Sequence, residues 1–185
     1  MSKEVKSKNK FKTIDMIYVA LGSAILAVCA WISIPIGQIP ITLQTMGICL
    51  VAGLFRTKRG LMSVVVYILL GIVGVPVFSG FKSGLGVIAG PTGGYLVGFI
   101  FTALIVGLFS EKFGSKIWVL ALSMVLGITA CYAFGSAWFY IYMNTKSAVT
   151  LSYVLGLCVV PYIIPDIVKI AVSCLLVNRL GKFVK

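Results

Sequence analysis

One segment near the carboxyl terminus combines an acid and a base within a strongly apolar run. Residues 161–177 are Pro-Tyr-Ile-Ile-Pro-Asp-Ile-Val-Lys-Ile-Ala-Val-Ser-Cys-Leu-Leu-Val. A helix opened by Pro165, whose fixed φ and missing donor suit a first turn, places Asp166 and Lys169 on one face at i,i+3. Charges at hydrocarbon depth are costly and usually face a bundle interior or a wet cavity. Two interpretations stay open: a structural ion pair, or the polar floor of a site for a small ligand.

The chain offers few groups for catalysis. It contains no histidine and four acids, of which only Asp166 falls deep within an apolar segment. The sequence offers no second carboxylate for catalysis by a pair of acids and no set of side chains that could bind zinc. It also contains no phosphate-binding glycine loop that ends in Lys-Ser or Lys-Thr. We therefore expect no enzyme activity, no metal and no cofactor. Uphill movement of a solute would need energy from a partner or an ion gradient.

The composition indicates an integral membrane protein. The 185 residues are 60% hydrophobic and their mean hydropathy is +1.11, which fits one membrane domain covering residues 1–185 in the lipid bilayer. The net charge of +12 would suggest nucleic acid for a soluble domain. Here basic residues are expected in cytoplasmic loops, so we expect no nucleic-acid partner. Five scattered cysteines without a C-x-x-C pair are interpreted as apolar packing residues.

The basic clusters predict which loops are cytoplasmic. Residues 1–12 carry five lysines, and the apolar run after them is long enough to span, so we interpret residues 1–12 as a cytoplasmic segment rather than part of a cleaved leader. Residues 16–55 contain no charge and lie between basic flanks, so they should cross twice, with an outer loop at Pro35–Pro40.

Repeating this argument along the chain predicts an all-α integral membrane fold. It has six transmembrane helices and both termini in the cytoplasm, in the plasma membrane. Thirteen of the sixteen Lys and Arg then lie inside, Lys82 and Lys146 lie outside, and Lys169 lies within the membrane. The predicted helices are Ile14–Ile34, Thr42–Phe55, Leu61–Phe78, Gly93–Phe109, Ile117–Tyr142, and a last one from Ser152 to about Arg179 that Pro161 and Pro165 interrupt.

Three other groups of residues have two interpretations each. Ala20, Gly22 and Ala24 give the first helix a small-residue face, either for docking of another helix in lipid or for ordinary internal packing. Thr42, Gln44 and Thr45 at the start of the second helix are either caps or polar groups of a pocket. The segment Gly90–Tyr95 is either a flexible turn or a movable cover, since its glycines let backbone approach a ligand.

Taken together in order, these segments resemble the BioY family, the biotin-binding S components of energy-coupling factor (ECF) transporters. The matching residues are Ala20-x-x-x-Ala24, Ile34-Pro35-Ile36-Gly37, Pro40-Ile41-Thr42-Leu43-Gln44-Thr45, Lys58-Arg59-Gly60, Gly74-Val75-Pro76-Val77-Phe78, Gly90-Pro91-Thr92-Gly93-Gly94-Tyr95 and Pro161-Tyr162-Ile163-Ile164-Pro165-Asp166-x-x-Lys169. The family usually has Pro-Gly-Asp where this chain has Ile164-Pro165-Asp166.

The resemblance implies a biotin pocket on the outer side of a six-helix fold, covered by the first and third loops. It implies that the substrate-binding residues are Asp166, Lys169, Gln44, Thr45, Phe78, Thr92 and Tyr95. It also implies that Ala20, Gly22 and Ala24 dock on a transmembrane coupling protein driven by two ATP-binding subunits. An S component for another vitamin, and a structural or assembly membrane protein, remain the alternatives.

The chemistry of biotin fits the acid and base. An ionised Asp166 only accepts hydrogen bonds and Lys169 only donates them, so together they complement the N–H and C=O edges of a ureido group. The reverse orientation, with Lys169 on the biotin carboxylate, stays open. In that case Lys82 in the glycine-rich loop could take the other end of the ligand or have no role.

Overall fold

A computed structural model describes residues 12–35 and 39–183, which are mostly helical. The all-α class is confirmed, and most of the basic amino-terminal segment lies outside the described residues. The elements are α1 (Thr13–Trp31), β1 (Ser33–Ile34), β2 (Ile41–Thr42), α2 (Gln44–Val73), a 3₁₀ turn (Ser79–Phe81), α3 (Leu85–Ala89), α4 (Gly93–Phe113), α5 (Ile117–Asn144), α6 (Leu151–Cys158) and α7 (Val160–Leu180).

Within the described ranges, four helical stretches are long and apolar enough to cross a membrane: α1, α4, α5, and residues 151–180, which α6 and α7 share. The core forms where α2 packs against both α1 and α4, and where α4 packs against α5. Glycines allow the closest of these approaches. A Cβ on Gly98 of α4 would lie 2.8 Å from the Cα of Cys131 in α5, so the two backbones are nearly in contact, as small residues permit between membrane helices.

Helix α2 is a hairpin of two helical halves, which the sequence predicted as separate helices. A Cβ on Gly60 would lie 2.8 Å from the Cα of Ala52, although eight residues of straight helix span about 12 Å. The Gln44 and Tyr67 side chains are hydrogen-bonded at 2.7 Å, although 23 residues of straight helix would separate them by about 35 Å. The chain therefore reverses direction within α2.

The reversal needs only one non-helical residue. Arg56 has φ 63° and ψ −171°, a left-handed φ that is strained for a residue with a side chain. Two residues of α4 support it: Gly107 leaves room for the backbone of Thr57, which would lie 2.7 Å from a Cβ there, and Ser110 donates a 2.8 Å hydrogen bond to the carbonyl of Gly53. The predicted cytoplasmic loop at residues 56–60 is therefore a tight corner packed on α4.

The prediction that the first helix continues to Ile34 was wrong. Helix α1 ends at Trp31, and Ser33 and Ile34 pair in antiparallel register with Thr42 and Ile41. Pro35 favours extended backbone in the residue before it, so the strand pair begins where helix would otherwise continue. Helix α2 likewise ends at Val73 rather than Phe78, because Gly74 takes the left-handed conformation (φ 112°) that closes a helix.

The proline positions in the last segment were also misread. The helical break falls at Val159, so α7 begins at Val160 with Pro161 in its first turn and Pro165 inside the helix. Pro161 is well placed, because the first turn of a helix does not need its N–H. Asp166 and Lys169 still share one face, as predicted, since both lie within α7 at i,i+3.

The small-residue face of α1 has two members rather than three. Ala20 and Ala24 are exposed on the outside of the bundle, whereas Gly22 is buried. A Cβ on Gly22 would lie 2.7 Å from the Cβ of Ser63 in α2. Placing Gly22 beside the alanines was wrong, because residues two apart on a helix are separated by about 200° around its axis.

The corner end of α1 is fixed to α2 by charge. Arg59 Nε lies 2.7 Å from Asp15 Oδ1, and its guanidinium covers the Tyr18 ring at 4.5 Å from the centroid. The other Asp15 oxygen accepts the Lys12 backbone N–H at 2.9 Å. Through Asp15 and Tyr18, the start of α1 is therefore attached to Arg59, just after the corner at Arg56.

Candidate ligand-binding site

A cavity of about 240 Å³ opens at the end of the bundle opposite the Arg56 corner. It lies between α2, α4, α5, α7 and the segment 78–92, and a largely apolar wall surrounds a small polar group. All seven residues that the resemblance implies for substrate binding line it: Gln44, Thr45, Phe78, Thr92, Tyr95, Asp166 and Lys169. The cavity is slightly smaller than typical small-molecule pockets, which measure about 300–1,000 Å³, so it has room only for a small ligand.

The polar floor is a hydrogen-bonded ion pair on α7. Lys169 Nζ lies 2.8 Å from Asp166 Oδ1, and the two side chains are only 8% and 5% exposed. The same Asp166 oxygen accepts the Thr45 hydroxyl at 3.1 Å, and the other oxygen accepts the Tyr132 hydroxyl. Helix α2, helix α5 and helix α7 therefore meet at one carboxylate.

The pair retains hydrogen-bonding capacity toward the cavity. Lys169 Nζ donates to Asp166 and, at 3.3 Å, to Thr45, which uses two of its three N–H groups. Asp166 accepts three hydrogen bonds, where a carboxylate offers about four lone-pair positions. One donor and one acceptor position thus stay beyond the contacts that the described residues make.

The residues at the start of α2 divide between the two expected roles. The Thr42 hydroxyl accepts the Gln44 backbone N–H at 3.2 Å and donates to the Gln44 side-chain oxygen at 3.0 Å, so it serves the first turn of the helix. The Gln44 amide donates to Tyr67, which holds it against the cavity wall. Thr45 points to the ion pair instead. The capping interpretation therefore fits Thr42, and the pocket interpretation fits Thr45.

Phe78 forms a buried part of the wall although it lies outside any helix. Its ring meets the Tyr67 ring edge-on at 5.6 Å between centroids. A Cβ on Gly71 would lie 2.0 Å from the Phe78 ring, so only glycine leaves this space in the second half of α2. The sequence motif Gly74–Phe78 carried no indication that Gly71, three residues earlier, makes room for Phe78.

The segment that carries Thr92 and Tyr95 is anchored at both sides. The Trp138 indole N–H donates to the Gly90 carbonyl at 2.8 Å, and the Tyr95 hydroxyl contacts the Cys158 carbonyl at 3.4 Å. Gly135 makes room for the Tyr95 ring, which would lie 2.3 Å from a Cβ there. Gly90–Tyr95 is therefore a packed turn at the cavity, rather than a loosely attached one.

Two tyrosines at the cavity were not among the predicted site residues. Tyr132 comes from α5, the one predicted helix that the family resemblance did not cover, and no local pattern distinguishes it. Tyr162 donates to the Ile39 carbonyl and joins α7 to the chain before β2. Its position four residues before Asp166 puts it on the same helical face, so that spacing could have identified it.

The chain is similar over nearly its whole length to known proteins. The model of the BioY family matches residues 2–185. A biotin transporter BioY of Thermotoga maritima is 40% identical over 169 residues, which cover 91% of this chain and 96% of the relative. A probable biotin transporter BioY of Pyrococcus horikoshii is 36% identical, covering 91% and 97%.

A solved structure has the same fold. The crystal structure of the S-component for biotin from an ECF-type ABC transporter superposes with a TM-score of 0.84, at 29% identity, and the match covers 95% of this chain and 94% of that one. These likenesses, together with the apolar helices, identify a multi-pass protein of the plasma membrane.

Proposed function

The chain belongs to the BioY family, and on that premise we propose that it is the biotin-binding S component of an ECF-type vitamin uptake transporter. It captures biotin from outside the cell. It then delivers biotin across the membrane together with a transmembrane coupling protein and two ATP-binding subunits. The observation that carries the ligand assignment is the Asp166–Lys169 pair at the floor of a largely apolar cavity.

The floor matches the ureido group of biotin. The unused N–H of Lys169 donates to the ureido carbonyl, and the remaining acceptor position of Asp166 takes a ureido N–H. Both contacts form in a water-poor site, where hydrogen bonds to charged groups are worth about 1.5–3 kcal/mol each. Thr45 and Tyr132 hold the carboxylate in position and leave it one acceptor position for the ligand.

The apolar wall matches the rest of the ligand. Phe78, Phe99 and Tyr95 line the cavity together with Val87 and Leu96, and they cover the thioether ring and the aliphatic chain of biotin. Burial of apolar surface contributes about 25 cal/mol per Å². Thr92 and Gln44 complete the set of proposed substrate-binding residues.

We further propose that the chain crosses the membrane six times with both termini in the cytoplasm. The antiparallel halves of α2, residues 44–55 and 57–73, supply the second and third crossings. The basic corner of Arg56, Lys58 and Arg59 then lies at the cytoplasmic face, as the distribution of Lys and Arg favours. The cavity, at the opposite end, opens to the outside.

Docking on the coupling protein is proposed for the exposed alanine face of α1, Ala20 and Ala24. Small side chains let a partner helix approach closely in lipid, and both alanines face away from the bundle. Gly22, which the sequence placed with them, serves the packing of α1 on α2 instead.

A titration of the purified protein distinguishes this function from its rivals. We expect saturable one-to-one heat release with biotin and none with riboflavin or thiamin. Binding of another vitamin instead of biotin would identify an S component of different specificity. A folded protein that binds none of them would favour a structural role for the ion pair. Uptake of labelled biotin by cells with and without the coupling protein then tests the transport assignment.

A further inference from the structure

Charged side chains line the cavity at two depths. Asp166 and Lys169 are buried at the floor and compensate each other. The third charged side chain in the lining is Lys82, which is exposed at the mouth. In the described part of the chain no carboxylate pairs with Lys82. The wall therefore carries one net positive charge, located at the mouth.

The turn that carries Lys82 is held in place. The Phe78 N–H donates to the Lys82 carbonyl at 3.1 Å across a turn in which Gly80 and Phe81 have φ values of 70° and 58°. Phe78 is buried at one side of this turn. At the other, the Phe81 ring stacks on Trp31 at 5.2 Å between centroids.

Trp31 is fixed in turn, because its indole N–H donates to the Pro76 carbonyl at 2.8 Å. The backbone of Lys82 is thus attached both to the buried wall and to the end of α1. A cation presented in this way at the mouth of a pocket can bind an anionic group of the ligand without ordering a long loop first.

We infer that Lys82 binds the carboxylate of the ligand, and that it makes the site selective for the free acid over esters and amides of biotin. This inference rests on the proposed function. A carboxylate directed to the floor would meet Asp166 as well as Lys169, so the net electrostatic gain there is small. At the mouth it meets Lys82 alone and forms a charge-assisted hydrogen bond, while the neutral ureido group occupies the floor.

The test compares the affinities of biotin, biotin methyl ester and biotinamide for the parent protein and for variants at residue 82. Lys82→Met should weaken biotin binding about three- to tenfold. This loss is larger than an exposed ion pair usually contributes and smaller than the contribution of a buried charge-assisted hydrogen bond. It should leave the affinities of the two neutral ligands unchanged. Lys82→Arg should restore the preference for biotin. Added salt should weaken the binding of biotin to the parent and to Lys82→Arg, which both carry a positive charge at residue 82, and should not affect the neutral ligands.

Two controls separate a local contact from general effects. Lys146→Met removes one positive charge from another exposed turn, outside the cavity lining, and should change none of the affinities. Lys82→Gln keeps a polar side chain and should behave like Lys82→Met.

The outcomes distinguish this inference from the proposed function. A parent that binds biotin, with Lys82 variants that bind biotin equally well or lose biotin and its methyl ester equally, overturns the inference alone. A folded parent that does not bind biotin refutes the proposed function and this inference together.

Discussion

Replacement of Asp166 by Asn is the most direct test of the floor of the site. The carboxylate accepts hydrogen bonds from Lys169 and Thr45, at 2.8 and 3.1 Å, and from Tyr132. Asparagine keeps the shape but has one acceptor oxygen and an NH₂ group that itself donates. At least one of the three donors then faces another donor, and the buried ammonium of Lys169 has no counter-charge.

The expected magnitude is large. Breaking a buried ion pair by removing one partner typically costs about 3–5 kcal/mol. If that cost falls on the bound state, the biotin affinity decreases by about two to three and a half orders of magnitude. If it falls on the unliganded protein, the thermal stability decreases instead. Affinity and melting temperature measured on the same detergent-solubilised preparation separate the two effects.

Two further variants calibrate the result. Lys169→Met removes the other member of the pair and should also abolish measurable binding. Tyr132→Phe removes one donor to Asp166 without changing the charge, and should weaken binding by about 1 kcal/mol, or roughly fivefold. A graded series, with Tyr132→Phe the mildest, is expected if the carboxylate contacts the ligand.

If Asp166→Asn and Lys169→Met both fold and bind biotin as tightly as the parent, the ion pair is not part of the ligand site. A loss of folding in both, with parent-like affinity in any folded fraction, would identify the pair as structural. Parallel loss of affinity at an unchanged melting temperature supports a ligand contact.

Three other predictions address docking, packing and topology. Ala20→Trp should abolish co-purification with the coupling protein and uptake, yet leave the biotin affinity of the isolated protein unchanged; an equal loss of both would indicate misfolding. Gly71→Ala should lower stability by about 1–3 kcal/mol and weaken biotin binding, since it displaces Phe78, whereas Gly156→Ala, with nothing within 4 Å of its Cβ, should do neither. On a background without native cysteines, Lys58→Cys should react with a membrane-impermeant thiol reagent only after the cells are opened, and labelling in intact cells would contradict the topology.

The all-α membrane class and the acid–base pair at the floor of the cavity could both be predicted from the sequence alone. Long uncharged runs between basic clusters can satisfy their backbone groups in lipid only as helices, so the all-α class followed from composition. Asp166 and Lys169 followed from local periodicity, because two residues three apart share a helical face wherever the helix begins. The prediction that they pair was therefore correct, although the helix begins at Val160 and not at Pro165.

Features that depend on contacts between distant segments could not be predicted from the sequence. The Arg56 corner is possible because Gly107 and Ser110, more than fifty residues later, make room for it and satisfy a freed carbonyl. The burial of Gly22 depends on where Ser63 lies. Such complementarity between segments distant in sequence leaves no period or motif in either segment.

The cavity likewise combines residues that the sequence predicted with residues that only the packing of the helices brings there. The family resemblance implied seven site residues that line the cavity. Tyr132 joins them only because α5 packs beside α7, and Lys82 reaches the mouth only because Phe78 and Trp31 hold its turn. Local spacing fixes which residues share a helix face. Which faces meet around a cavity is decided by packing of the whole bundle, in which Gly71 makes room for the Phe78 ring and Gly135 for the Tyr95 ring.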